Sequence, residues 1–75
     1  MHARGKVVRR VYGTGSKSEH DAVMLDTGDE LYRMRRRGGN PFRDPELDAL
    51  VGSTIECEGS LRENTLIVDS WRTVA

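Results

Sequence analysis

An all-β fold, its strands closed into a small barrel with one short helix between the third and fourth, is what the sequence predicts. Three observations point there. Five short segments rich in β-branched and apolar residues alternate with glycine-bearing turns. One helix-start signal, Asp44-Pro45-Glu46-Leu47, falls between the third and fourth of them. The 75 residues include a single cysteine, Cys57, so neither an internal disulfide nor a Cys/His metal cluster can reinforce the fold. A chain of this length buries only about 60–65% of its unfolded surface. Closing the sheet removes exposed edges and makes a small core efficient.

The first strand spans Gly5 to Tyr12, where Val7, Val8, Val11 and Tyr12 suit a pleated, half-buried surface. Alternation breaks at Val7-Val8, which predicts a bulge or a strong curl there. Residues 1–4 are expected to be a disordered lead-in to a single domain covering 1–75. Gly13 to His20 is a loop by composition. Asp21–Asp26 is the second strand, with Val23 and Leu25 inward, and Thr27-Gly28-Asp29 is a tight turn that needs a positive φ at Gly28.

The third strand runs from Glu30 to about Arg37. Its period of two puts Tyr32 and Met34 on one face and Leu31, Arg33, Arg35 and Arg37 on the other. The arginine face must look outward, because several buried guanidiniums could not all be paired. After the loop Gly38–Arg43, Asp44 is a good N-cap and Pro45 fits the first helical position. Leu47, Leu50 and Val51 share a helical face, and Gly52 stops a helix of two turns. Such a helix does not persist alone in water, so it must be a plug held by burial. Ser53–Gly59 is the fourth strand, with Ile55 and Cys57 inward, and Ser60–Asn64 is a loop. Thr65–Trp71 is the fifth strand, with Leu66 and Val68 inward and Trp71 closing the barrel end.

Net charge is zero but unevenly spread. Residues 1–43 hold ten basic and five acidic side chains, a balance of +5; residues 44–75 hold two and seven, a balance of −5. That split makes a dipolar surface, or it cancels if the halves interleave in space. No apolar run approaches the ~20 residues of a membrane span, and none follows the N-terminal charges as in a signal peptide. With its lone thiol, the chain reads as cytoplasmic.

The order β-β-β-α-β-β, with the helix bridging strands three and four, resembles the OB-fold, a five-stranded Greek-key barrel. The stretch Leu50-Val51-Gly52-Ser53-Thr54-Ile55-Glu56-Cys57-Glu58-Gly59, followed by Leu66-Ile67-Val68, adds to the resemblance. In OB domains an apolar pair and a glycine likewise precede an alternating strand and a second glycine. The match covers essentially the whole chain and is similar to a stand-alone, single-domain bacterial OB-fold protein. An SH3-like barrel is the rival, but it would not normally place a capped helix at residues 44–51.

The resemblance implies a ligand face on the outside of strands two and three, framed by the loops Gly13–His20 and Ser60–Asn64. That face would show Met24, Leu31, Arg33, Arg35 and Arg37. Guanidinium forks suit phosphate oxygens, so Arg33, Arg35, Arg36, Arg37 and Arg43 form the most informative cluster. The plainer reading is a solvated strand whose charges oppose aggregation. Single-strand binders also use aromatic platforms. Tyr32 points inward and Trp71 is core, which leaves Phe42 as the candidate stacker unless it staples the helix N-terminus.

Other chemistry fails on spacing. Gly13-Thr14-Gly15-Ser16-Lys17-Ser18 lacks the Gly-Lys step and the following helix of a phosphate loop, although its backbone and Lys17 can cradle an anion. Ser16, Ser18, Glu19, His20 and Asp21 are contiguous and cannot easily line up as nucleophile, base and orienter. Cys57 reads as a small core residue with a raised pKa. The expected function is a non-enzymatic binding module for single-stranded nucleic acid or another phosphate-bearing anion. Arg33, Arg35 and Arg37 would make the electrostatic contacts, Lys17, Ser16 and Ser18 the loop contacts, and Phe42 would stack. The alternative is a protein-interaction or subunit module. No metal, cofactor, catalytic residue or membrane partner is expected.

Overall fold

The computed structural model describes residues 1–12, 20–39 and 44–74. Its elements are β1 (His2–Tyr12), β2 (His20–Asp26), β3 (Leu31–Arg36), α1 (Pro45–Asp48), β4 (Thr54–Arg62) and β5 (Thr65–Val74). The five strands close into a ring in the order β1-β2-β3-β5-β4. Every neighbouring pair is antiparallel except β3 and β5, which run parallel.

Strand β1 closes the ring because it is long enough to serve two partners. Its first half, His2–Lys6, pairs with β4, and its second half, Lys6–Tyr12, pairs with β2. The lead-in expected to be disordered is therefore ordered strand. β4 needs a partner on that side, and even the Met1 amino group donates to the Gly59 carbonyl at 2.7 Å. No bulge interrupts β1 either. Its registers with β2 and β4 run without a shift, so Val7 is inward and fully buried while Val8 stands on the outer side opposite Met24.

The irregularity lies instead between β4 and β5. Glu58 pairs with Ser70 and Gly59 with Val68, so Asp69 is the extra residue. That bulge explains the odd step from Val68 to Trp71 on the inner side, since one unpaired residue shifts the alternation. Gly59 is required beside it, because a Cβ there would lie 2.1 Å from the Ile67 carbonyl oxygen. The Ser60–Asn64 loop shrinks to a two-residue turn. Glu63 and Asn64 have φ of 49° and 64°, the pattern of a type I′ hairpin, and the ladder continues through Ser60, Leu61 and Arg62. The Thr27–Glu30 turn matches expectation, with Gly28 at φ 95° and the Thr27 N–H donating to the Glu30 carbonyl at 3.0 Å.

The helix is one turn, not two. Asp48 and Ala49 make the i→i−4 bonds, after which Leu50 and Val51 donate to Leu47 and Asp48 in the tighter i→i−3 pattern. The chain leaves the helix because β1 captures it. The Gly52 N–H donates to the Val7 carbonyl at 2.8 Å, and the Val7 N–H donates to Ser53 at 2.9 Å. Gly52 makes that exit at φ 95°, which a side-chain-bearing residue adopts only with strain.

The core fills the ring from every element. Val7, Leu25, Ile55, Leu66 and Val68 are fully buried, with Ala3, Met34, Leu47 and Cys57 beside them. Val23, Tyr32, Leu50, Val51 and Trp71 pack around this set half-buried. Each large apolar side chain contributes about 1.5–3 kcal/mol by leaving water.

Candidate anion-binding surface

Strand β3 is the element that decides where the arginines go. Tyr32 and Met34 pack on the core side, and Met34 pairs across to Leu66. Leu31 is exposed, Arg33 half-buried, and Arg35 and Arg37 are exposed. The expected outward stripe is present, because a period of two with one apolar side leaves no other assignment.

The five-arginine cluster nevertheless divides by role. Arg36 has the inward parity of Met34, but at the end of the strand it reaches the helix rather than the core. Its Nε donates to Asp44 Oδ2 at 3.0 Å and its Nη2 to Asp44 Oδ1 at 3.4 Å, with Glu46 Oε2 3.4 Å from Nε. Asp44 is 7% exposed and also accepts the Glu46 N–H at 3.1 Å as the N-cap. The hydrogen bond to Asp44 raises the Arg36 pKa above its ordinary value, and the guanidinium is committed to holding α1. Arg37 pairs with Asp69, the bulged residue of β5. Arg43 lies outside the described residues, as do the expected loop contacts Lys17, Ser16 and Ser18 and the expected stacker Phe42.

The parallel pairing of β3 with β5 adds a residue that the linear sequence hides. Arg33 pairs with Thr65, and Thr65 pairs with Arg62 of β4. Arg33, Thr65 and Arg62 thus form one outward row, with the two arginines two strands, roughly 9.5 Å, apart. Arg35 stands roughly 6.7 Å along β3 from Arg33 and lies opposite Ile67. Among the described residues neither Arg35 nor Arg62 has an ion-pair partner. Arg62 belongs to the acidic half of the chain, and only the 3–5 strand neighbourhood could have flagged it.

One expected member of the face is missing from it. Met24 has outward parity opposite Arg33, yet it is buried at 6% exposure, as is Ala22 at 7%. Ala22 and Met24 therefore form a buried apolar stretch on the outer side of β2 and not a contact surface. Tyr32 and Trp71 are both packed against the core, so among the described side chains no aromatic stands on the arginine face.

The two halves of the chain interleave in space. Asp44 and Glu46 meet Arg36, Asp48 meets Arg9 at 3.2 Å, and Asp69 meets Arg37. The +5/−5 split is therefore offset in part by these pairs, and among the described residues Arg35 and Arg62 remain outside any ion pair.

Elsewhere the chemistry is sparse. Cys57 is 2% exposed, and burial, then the neighbouring Glu58 charge, pushes its thiol pKa up, as expected of a core cysteine. An open depression of about 250 Å³ on β4 and β5 is bordered by two ion pairs, His2–Glu58 and Arg72–Glu56. Among the described residues no group of three or more His, Cys, Asp or Glu is placed to hold a metal, and no helix is long and apolar enough to cross a membrane. No protein-family model, curated protein or solved structure matches the chain.

Proposed function

We propose that this chain is a cytoplasmic, non-enzymatic binding module with an OB-fold of the stand-alone bacterial kind, which binds single-stranded nucleic acid or another phosphate-bearing anion on the outside of its third strand. The observation that carries the reading is the outward row Arg33–Thr65–Arg62 together with Arg35. Three guanidiniums stand at spacings of roughly 7–10 Å, and among the described residues Arg35 and Arg62 have no carboxylate partner on their donor forks. The strand order 1-2-3-5-4 and the helix between β3 and β4 support the fold assignment.

Binding of this kind is electrostatic and therefore salt-dependent. Three phosphate contacts to a single strand contribute about −2 to the log–log salt slope, so binding weakens at least about tenfold between about 50 and 200 mM salt. Fluorescence anisotropy with a labelled single-stranded oligonucleotide at those two concentrations tests it. The R33A/R35A variant is expected to lose most of the binding. Wild-type protein that ignores the oligonucleotide at low salt, or a double variant that binds unchanged, would refute the reading.

A protein-interaction role is the second reading, favoured by the free side of β5. Among the described residues, Ser70–Val74 beyond Asp69 pair with β4 alone, and a sheet edge of that kind can take a partner strand. A pull-down repeated after nuclease treatment separates the two, because partners that survive nuclease belong to this second reading.

A further inference from the structure

We infer that β1 carries a second arm of the same surface, made by Arg4, Lys6 and Arg10, and that the ligand is a linear polyphosphate chain held by its phosphates alone. The inference rests on the proposed anion-binding role of β3. With Ala3, Gly5 and Val7 inward, the outward positions of β1 are His2, Arg4, Lys6, Val8 and Arg10, and all but Val8 are exposed. Two carboxylates, Glu56 and Asp26, stand opposite the arm, and neither forms an ion pair with it. Arg4 stands opposite Glu56, which is held by Arg72. Lys6 stands opposite Asp26, whose Oδ1 accepts the Gly28 N–H at 2.9 Å. Arg10 stands opposite Ala22 and, among the described residues, donates to the Arg9 carbonyl at 3.2 Å. Among the described residues none of the three has a carboxylate partner.

The register sets the shape of the combined surface. Val8, Met24 and Arg33 form one row, so the two basic strands are separated by the outer side of β2, where Ala22 and Met24 are buried and Asp26 stands opposite Lys6. The arms are therefore roughly 9.5 Å apart, and Arg4 to Arg10 extends roughly 20 Å along β1. A single phosphate or a mononucleotide cannot bridge that span, whereas a flexible chain of several phosphates can. With no described aromatic on the face, the bases of a nucleic acid have no platform. A phosphodiester backbone and inorganic polyphosphate thus present the same recognisable chemistry.

The test compares three probes on the full chain: pyrophosphate, a twelve-residue oligothymidylate and inorganic polyphosphate of similar charge. Both long chains are expected to bind within about threefold of each other, and pyrophosphate at least about thirtyfold more weakly. An R4A/K6A/R10A variant, checked for folding by circular dichroism, is expected to weaken both long chains about tenfold or more. Its single-strand salt slope should become shallower by about 2. R4K/R10K, which keeps the charges, should retain binding. If the triple variant binds like wild type while R33A/R35A does not, the second arm is wrong and the β3 site stands. Oligothymidylate binding without polyphosphate binding overturns recognition by phosphates alone. If no probe binds, the β3 reading falls with it.

Discussion

At the scale of single residues, Asp44 carries more of the fold than its surface-type chemistry suggests. It caps α1, accepts the Arg36 fork with both oxygens, and is almost removed from solvent. Replacing it removes the cap and leaves Arg36 with Glu46 alone, 3.4 Å from its Nε. Asp44→Ala is expected to lower the unfolding free energy by about 1–2 kcal/mol, chiefly through the lost cap. Urea unfolding of the variant measures this, and a loss below 1 kcal/mol would mean that α1 is held by Leu47 packing instead. The N-cap role was readable from Asp44-Pro45-Glu46. The Arg36 contact was not, because it depends on where the end of β3 meets the helix.

Among the elements, the β4–β5 hairpin departs furthest from expectation. Its sequence Ser60-Leu61-Arg62-Glu63-Asn64 has no glycine, yet the turn needs positive φ at both Glu63 and Asn64. Asparagine tolerates that region, while glutamate is strained there. The ladder that continues through Arg62 and Thr65 holds the turn in that conformation. E63N/N64G, an Asn-Gly turn, is expected to stabilise the protein by about 1 kcal/mol. Chemical denaturation reads the change, and a destabilised variant would show that the Glu63 side chain matters in the turn. Strand β3 is the opposite case. Its alternating Tyr32, Met34 and the arginines around them declare their faces in the sequence itself.

For the whole molecule, the pairing of acids from one half of the chain with arginines from the other separates stability from binding. The pairs Arg9–Asp48 and Arg37–Asp69 are exposed, and such pairs contribute about 0–1 kcal/mol each. Raising salt from about 50 to 500 mM is therefore expected to change the unfolding free energy by less than about 2 kcal/mol. Anion binding over the same range should collapse. A fold that melts as salt rises would mean that the interleaved pairs carry the tertiary structure, and the core would then be the weaker contributor.

Local chemistry determined the strands, their inward residues, the cap at Asp44 and the outward stripe of Arg33, Arg35 and Arg37, because side-chain alternation and capping depend only on near neighbours in the chain. The tertiary structure alone decided which arginines remain available. Ring closure ordered residues 2–4 against β4, the helix end took Arg36, the bulge at Asp69 took Arg37, and the parallel β3–β5 ladder delivered Arg62. Each of these joins residues far apart in sequence, and a pairing between distant strands leaves no periodic trace in either segment.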